Sequence, residues 1–198
     1  MEQQSRYLFI VAGPPACGKS TVARALAEYF GDAVYLDKDD LTELCRCAFD
    51  CGGVPFDRDA AFYAQHVRDA EYATLNHLAC VNAGYQSRVI VNAPYIAQVR
   101  TPGYMRELKQ RANAAGAKLA LIWVSVAPEV CKQRMLRRNA PRDSGKYDRW
   151  DAYISGIDFS APTLVTGVDV DALLSFDNTQ ERTAAQLMSA LEEMLDIQ

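Results

Sequence analysis

The octapeptide GPPACGKS at residues 13–20 is the feature that most narrows the folds open to this chain. It lies between an apolar run rich in β-formers, residues 6–13, and a segment with helical periodicity, residues 19–30. Gly13 and Gly18 let the backbone curl so that successive N–H groups point inward, and the N-terminus of the following helix adds positive potential. The pattern therefore predicts a buried strand, a tight phosphate-binding loop and a helix.

The loop matches the pattern G-x-x-x-x-G-K-[ST] without a mismatch. In this pattern Lys19 can reach the β- and γ-phosphates of a nucleotide, and the Ser20 hydroxyl can hold Mg²⁺. Prolines stiffen the loop and lower the entropy lost in holding its shape. A glycine turn that binds nothing would not need Lys-Ser at this spacing. The predicted nucleotide-binding residues in this segment are Gly13, Pro14, Pro15, Ala16, Cys17, Gly18, Lys19, Ser20 and Thr21.

Strand-like apolar runs alternate with helical segments along the 198 residues. The strands are predicted at residues 6–13, 33–37, 87–94, 117–126 and 173–178, and the main helices at 19–30, 39–49, 59–83, 101–116, 128–139 and 179–197. This alternation is typical of βαβ units and a parallel sheet. No linker is long enough to divide the chain. We therefore predict one α/β domain, residues 1–198, with a five-stranded parallel sheet and helices on both faces.

Composition disfavours several classes of protein. The chain is 49% hydrophobic and 23% charged, which fits a globular protein, and its net charge of −4 disfavours broad contact with a nucleic-acid backbone. No apolar run approaches the ~20 residues of a membrane helix. The N-terminal residues lack a basic region followed by a long apolar one, so no signal peptide is indicated. We expect a cytoplasmic protein with no membrane partner.

Three of the six cysteines, Cys45, Cys47 and Cys51, form a C-x-C-x3-C pattern. This is not a usual zinc spacing, and no histidine is nearby in sequence. A chain of this size does not need disulfides. We expect reduced thiols, with metal binding as the alternative.

An acidic stretch, LDKDDL at residues 36–41, follows the second predicted strand. Residues at the carboxyl ends of parallel strands line the ligand crevice, so these carboxylates are expected to face the bound phosphates. A carboxylate there could accept the proton of an attacking hydroxyl. Alternatively, Asp40 and Glu43 form a D-x-x-E helix-capping box. We expect Asp37 or Asp39 to contact the reacting hydroxyl.

A basic stretch at residues 131–146 lies near the fourth predicted strand. Arg134 and Arg138 are four residues apart, so they share a helical face, and Arg142 follows in a polar stretch that contains Pro and Gly. Such cations could stabilise the charge that spreads over a transferred phosphoryl group. A solvated basic helix end is the alternative. The pattern favours a short Arg-rich lid at about residues 139–150.

These motifs together resemble those of the small P-loop kinases that are similar to nucleoside-monophosphate kinases, such as polynucleotide kinase, zeta toxins and chloramphenicol phosphotransferase. The resemblance covers nearly the whole chain in its order of elements and implies a P-loop NTPase fold, ATP and Mg²⁺ as cofactors, and γ-phosphate transfer to a hydroxyl of a small molecule. The acceptor could be a nucleoside, a sugar, a nucleotide sugar or an antibiotic. The alternatives are a nucleic-acid 5′-hydroxyl kinase, disfavoured because Thr42 stands where polynucleotide kinases have Arg, and an ATP-binding regulatory protein without an acceptor.

The resemblance also implies roles for the acidic residues. The step Lys38-Asp39-Asp40 is similar to the Arg-Asp-Asp step of polynucleotide kinases, whose first Asp is the base, and this implies Asp39. Zeta toxins and chloramphenicol phosphotransferase place an Asp at the strand end, which implies Asp37 instead. Asp37 is also a candidate to hold the metal with Ser20, with Asn92 as the alternative.

Adenylate-kinase-like proteins have a similar R-x-x-x-R step that enters a lid. By that resemblance Arg134 would stack on adenine and Arg138 would reach the phosphates, and Arg142 follows in the lid itself. Asn178 follows the fifth strand, where small kinases form the adenine pocket, although a helix N-cap is equally open. Asn92 ends the third strand, where many P-loop proteins have an Asp that holds the water shell of Mg²⁺.

The long helix predicted from residue 59 carries Phe62, His66 and Asp69, which share a face by their spacing. In small kinases this region covers the acceptor. Phe62 and His66, with Asp40 and Asn92, are therefore candidate acceptor contacts. An ordinary core face is the alternative.

Overall fold

Five parallel strands form one sheet in the computed structural model, which describes residues 5–138, 147, 150–180 and 182–195. The strands are β1 (Arg6–Ala12), β2 (Val34–Asp37), β3 (Arg88–Asn92), β4 (Ala117–Ser125) and β5 (Ala172–Asp177). Their order is β2-β3-β1-β4-β5, and every neighbouring pair is parallel. The predicted α/β fold with a five-stranded parallel sheet is confirmed.

Helices connect the strands, as the alternating pattern predicts. In the described part of the chain they are α1 (Lys19–Phe30), α2 (Thr42–Cys51), α3 (Arg68–Ala83), α4 (Tyr104–Ala114), α5 (Pro128–Arg138), α6 (Trp150–Ser155) and α7 (Ala184–Leu195). Short 3₁₀ turns cover Lys38–Leu41 and Gln98–Arg100, and a π-helical turn covers Tyr63–Val67. None of the described helices is long and apolar enough to cross a bilayer.

Both faces of the sheet are buried. Leu8 and Ile10 of β1 pack with α3 and α4, whereas Phe9 and Val11 pack with α1, α5 and α7. Successive side chains of a strand point to opposite faces, so a strand covered on both sides must be apolar at nearly every position. This is why the strands appear in the sequence as continuous apolar runs.

The register of the sheet places the polar strand ends together. Asp37, the last residue of β2, is paired with Asn92, the last residue of β3, and Asn92 is also paired with Val11 of β1. Because the strands are parallel, their carboxyl ends meet at one edge of the sheet. The loop at residues 13–20 leaves β1 at the same edge, so the fold alone brings the acidic motif beside the glycine-rich loop.

Two helix starts differ from the sequence prediction. The expected Asp40–Glu43 capping box does not form: α2 begins at Thr42, and Asp37 instead caps the preceding 3₁₀ turn by accepting a hydrogen bond from the Asp39 N–H at 2.9 Å.

The last helix begins at Ala184 rather than at residue 179, because Asp177 accepts hydrogen bonds from the N–H and the hydroxyl of Thr179 and holds that segment in a turn. The α7 start has its own box, in which the Thr183 N–H donates to Gln186 Oε1 at 2.9 Å.

The helix predicted over residues 59–83 is present from residue 61 onward but contains an irregular turn. The π-helical turn Tyr63–Val67 leads directly into α3, and its last residue, Val67, has φ −120°. An extra residue in one turn rotates everything that precedes it relative to α3. Side chains before and after this turn therefore do not share the face that a regular helix would give them.

Candidate active site

The loop at residues 13–20 is held in a backbone shape that only small residues permit. Gly13 has φ 148°, and a Cβ there would lie 2.2 Å from the Val124 carbonyl oxygen; Gly18 has φ 92°, and a Cβ there would lie 2.3 Å from Asn178 Nδ2. Ala16 also has a positive φ, 53°. These values fit the curled, inward-pointing backbone that the motif predicts.

Neighbouring elements brace this loop. The Gly13 N–H donates to the Pro94 carbonyl after β3 at 3.1 Å, and Asn178 Nδ2 donates to the Cys17 carbonyl at 2.8 Å. Arg134 Nη2 in turn donates to the Asn178 carbonyl at 2.7 Å. Strand ends and α5 therefore hold the loop from two sides.

Cys131 of α5 makes a further contact, because its thiol donates to the Pro15 carbonyl at 3.1 Å. Burial raises the pKa of Cys131 to about 11, so the group remains a thiol that can donate at neutral pH. The Lys19 ammonium lies over the loop and donates to the Pro14 carbonyl at 2.8 Å. All six cysteines are free in the structure.

A cleft of about 750 Å³ opens above the loop, at the carboxyl edge of the sheet. Most of the predicted site residues line it. They are Pro15, Ala16, Gly18, Lys19, Ser20, Thr21, Asp37, Asp39, Asp40, Asn92, Arg134 and Arg138. The fold therefore brings the glycine-rich loop, the acidic motif and the predicted lid arginines of α5 to one cavity.

Ser20, Asp37 and Asn92 form a polar cluster at the floor of the cleft. Asn92 Nδ2 lies 2.9 Å from Ser20 Oγ and donates to Asp37 Oδ2 at 2.7 Å. The Tyr35 hydroxyl donates to the same Asp37 oxygen at 3.1 Å. Burial, together with the adjacent Asp37 carboxylate, raises the pKa of Tyr35 to about 12, so this hydroxyl keeps its proton at neutral pH.

Asp39 lies apart from this cluster, on the wall of the cleft. Its side chain is 54% exposed, and Oδ1 accepts a hydrogen bond from Arg58 Nη1 at 2.9 Å. Asp37 is linked to Ser20 by the Asn92 amide, which contacts both side chains, whereas Asp39 is hydrogen-bonded to Arg58. Two carboxylates that are two residues apart in sequence thus have different surroundings.

Three charged residues that line the cleft were not predicted from the sequence: Arg24 of α1, Arg58 of the loop before the π-helical turn, and Asp59. None belongs to a motif. Arg24 is one helical turn after Ser20, so its place beside the phosphate-binding loop could have been inferred from the spacing. The loop position of Arg58 gave no such signal.

Two predicted acceptor contacts do not line the cleft. The Phe62 ring packs against Phe49 and His66, with ring centroids at 4.9 Å in both cases. His66 lines a separate groove between α2 and α3, and Asp69 lines a third depression between α3 and α4. The expected common face was wrong for Asp69: Phe62 and His66 contact each other, whereas Asp69 follows the π-helical turn and lies in a different depression.

The predicted lid lies mostly outside the described residues, and Arg142 falls there. Arg138, where α5 ends, is described and lines the cleft. Tyr147 and Trp150 are the other described residues of the predicted lid; the Tyr147 hydroxyl donates to the Met135 carbonyl at 2.8 Å, and both residues pack against the core on the α5 side.

Comparison with known proteins gives a family and a fold. A family model described as an AAA domain matches residues 8–158. No curated protein sequence gives a significant match.

Solved structures resemble the chain over nearly its whole length. A proposed kinase from Chloroflexus aurantiacus J-10-fl is 22% identical, with 98% of each chain covered and a TM-score of 0.65. The APS kinase of Mycobacterium tuberculosis, solved with AMPPNP and APS, is 18% identical, with 98% of each chain covered and a TM-score of 0.58. A gluconokinase from Sinorhizobium meliloti 1021 is 16% identical, covers 99% of this chain and 95% of its own, and has a TM-score of 0.57. At these identities the likeness shows that the chain has the fold of the P-loop kinases.

The Gly13→Ala substitution tests the steric constraint on the loop. The added Cβ would meet the backbone oxygen of Val124, which cannot move without shifting β4, so we expect the loop to be displaced and Mg·ATP binding to weaken by about tenfold or more. Gly31→Ala is the matched control, because Gly31 also has a positive φ, 73°, but its Cβ would meet nothing within 4 Å. Calorimetric titration of both variants measures the difference. Equal ATP affinity in the two variants would contradict the constraint.

Proposed function

The chain belongs to the AAA-domain family, and we propose that within this family it is an ATP-dependent kinase that transfers the γ-phosphate of ATP to a hydroxyl group of a small molecule. The observation that carries the proposal is that one cleft contains both a phosphate-binding loop and a carboxylate, Asp39, that is exposed to the space above it. A kinase needs both parts, since phosphoryl transfer depends on positioning the phosphates and orienting the attacking group.

The loop forms the ATP half of the site. Its inward-pointing N–H groups and the N-terminus of α1 attract phosphate oxygens. Lys19 moves from the Pro14 carbonyl to the β- and γ-phosphates, a short displacement for a flexible four-carbon side chain. Arg138 at the rim of the cleft adds positive charge near the transferred group.

Ser20, Asp37 and Asn92 fit a magnesium site. Mg²⁺ prefers oxygen ligands and keeps several waters, and Ser20 Oγ and Asp37 Oδ2 both lie within 2.9 Å of Asn92 Nδ2. Asn92 Oδ1 is buried and has no hydrogen-bond partner in the described part of the chain, so it could accept a hydrogen bond from a metal-bound water. When bound, Mg²⁺ supplies charge neutralisation of the phosphates.

Asp39 is the better candidate for the base. Asp37 accepts hydrogen bonds from Asn92, Tyr35 and the Asp39 N–H, whereas the Asp39 side chain is 54% exposed and lines the cleft. In the proposed step the acceptor oxygen attacks the γ-phosphorus, the bond from that phosphorus to the bridging oxygen breaks, the hydroxyl proton passes to Asp39, and ADP leaves.

The structural neighbours support a small-molecule acceptor. The APS kinase and the gluconokinase are named for small hydroxyl-bearing substrates, and the former was solved with the ATP analogue AMPPNP. Their similarity in fold extends over nearly the full chain.

A screen for acceptors tests the proposal directly. We expect one class of hydroxyl compound, among nucleosides, sugars, nucleotide sugars and antibiotics, to stimulate ADP release by about tenfold or more, because an oriented acceptor replaces water as the attacking group. Coupled ADP detection measures the rate, and Lys19→Ala with the same compounds is the control for contaminating kinases. ADP release at one rate with every compound and with none would contradict a kinase and favour an ATPase.

Substitution of each aspartate distinguishes the two proposed roles. Asp39→Asn is expected to lower turnover by about 10²–10⁴-fold with Mg·ATP affinity near that of the wild type, because only proton acceptance is lost. Asp37→Asn is expected to raise the Mg²⁺ concentration needed for half-maximal rate. Initial rates over a Mg²⁺ series and calorimetric ATP titrations measure both effects. If Asp39→Asn abolished ATP binding, Asp39 would belong to the metal side instead.

A further inference from the structure

Glu71 of α3 is a buried carboxylate beside the cleft but does not line it. Its side chain is 0% exposed, and each carboxylate oxygen accepts hydrogen bonds from two donors. Oε1 accepts from Arg58 Nη2 and from the Cys45 thiol at 3.0 Å. Oε2 accepts from Lys38 Nζ at 2.7 Å and from the Tyr63 hydroxyl. The donors come from four separate parts of the chain, so one carboxylate joins them all.

The charge state of this cluster is well defined. Burial alone would raise the pKa of Glu71, but hydrogen bonds from Cys45, Lys38 and Tyr63 outweigh burial and lower it, so the group is ionised at neutral pH. Burial and the neighbouring Glu71 raise the pKa values of Cys45 and Tyr63, so both keep their protons and donate. Glu71 therefore faces two cations and two neutral donors.

Stability alone does not account for such a cluster. Desolvation of buried charges costs several kcal/mol per ion, and apolar residues of similar volume often replace a buried ion pair with no loss of stability. Buried ionic groups are useful where they fix one geometry among several. The geometry fixed here belongs to the cleft, because both cations reach it.

Arg58 and Lys38 connect Glu71 to the proposed catalytic carboxylate. Arg58 bridges two acids: Nη2 donates to Glu71, and Nη1 donates to Asp39 Oδ1 at 2.9 Å. Lys38 lies between Asp37 and Asp39 in sequence, and its buried side chain is anchored to Glu71. Glu71 therefore holds Asp39 in two ways: Arg58 contacts the Asp39 side chain, and Lys38 anchors the backbone next to it.

The π-helical turn contributes to this arrangement. Tyr63 and Glu71 are eight residues apart, which in a regular helix corresponds to a rise of about 12 Å, too far for the side chains to meet. Tyr63 begins the π-helical turn that leads into α3, and its hydroxyl donates to Glu71 Oε2. Irregular turns of this kind are frequent at functional sites.

We propose that Glu71 is a positioning residue for phosphoryl transfer: through Arg58 and Lys38 it fixes the carboxylate of Asp39 in the orientation that receives the acceptor hydroxyl. This inference rests on the proposed kinase function. Glu71 contacts neither nucleotide nor acceptor, so its loss acts on turnover by misplacing Asp39 and leaves the phosphate-binding loop intact.

The test compares three variants. Glu71→Gln keeps the size of the side chain and removes the charge that holds two cations. Arg58→Lys keeps a cation but cannot bridge two carboxylates. It tests the same link between Glu71 and Asp39 if Glu71→Gln fails to fold. Glu43→Gln is the matched control, since the Glu43 side chain is 88% exposed and its ion pair is with Arg46, three residues on in α2, at 3.5 Å.

Three measurements are made on each folded variant: ADP release with the acceptor found by screening, Mg·ATP affinity by calorimetry, and ¹⁵N NMR of the Arg58 guanidinium, assigned from the Arg58→Lys spectrum. A guanidinium held by two carboxylates rotates slowly and gives separate Nη signals. In Glu71→Gln we expect those signals to merge and ADP release to fall by about tenfold to a hundredfold, with Mg·ATP affinity within about twofold of the wild type. Arg58→Lys should show the same fall in turnover, and Glu43→Gln no change.

Wild-type turnover in folded Glu71→Gln or Arg58→Lys would overturn the proposal, as would a loss of Mg·ATP affinity in proportion to the loss of turnover. If the wild-type protein transfers phosphate to no acceptor, the kinase proposal fails first. The NMR measurement is separate from that outcome: Arg58 signals that stay resolved in Glu71→Gln would show that Glu71 does not hold Arg58.

Discussion

The close approach between the glycine-rich loop and its neighbours is the constraint on which the rest of the site depends. A Cβ on Gly13 would lie 2.2 Å from the Val124 carbonyl oxygen, and one on Gly18 would lie 2.3 Å from Asn178 Nδ2. This packing fixes the loop against β4 and the end of β5, so that its N–H groups have one orientation relative to the sheet. The carboxylates at the end of β2 are then presented to whatever the loop binds, because the parallel register places Asp37 beside Asn92.

Much of this arrangement could be predicted from the sequence, because it depends on local patterns. The strand, loop and helix around GPPACGKS follow from an apolar run, an eight-residue motif and helical periodicity. The other strands are apolar runs that end near Gly, Pro or Asp, and parallel strands bring their carboxyl ends to one edge whatever their order. Asp37, Asp39, Asp40 and Asn92 could therefore be assigned to the cleft without knowledge of the sheet order.

The residues on the acceptor side of the cleft could not be predicted, because long-range contacts and an irregular turn determine which side chains lie there. Phe62 and His66 were expected on one face with Asp69, but Asp69 follows the π-helical turn and lies in a different depression. Arg58 is in a loop with no motif. The sequence did contain an indication for Glu71. Every fourth residue from Val67 to Ala83 is buried, and among Val67, Glu71, Leu75, Ala79 and Ala83 only Glu71 is charged. A carboxylate in an apolar stripe indicates a buried, paired charge, although the sequence does not indicate its partners.

Every proposed step depends on the loop at residues 13–20 binding a nucleoside triphosphate through Lys19 and its backbone N–H groups. Calorimetric titration of the wild type and of Lys19→Ala with Mg·ATP tests it most directly, since no acceptor is needed. We predict that the wild type binds Mg·ATP saturably below the millimolar range. In Lys19→Ala the affinity for Mg·ATP should fall on the order of tenfold or more. No binding by the wild type at millimolar Mg·ATP, or equal affinity in the two proteins, would contradict it.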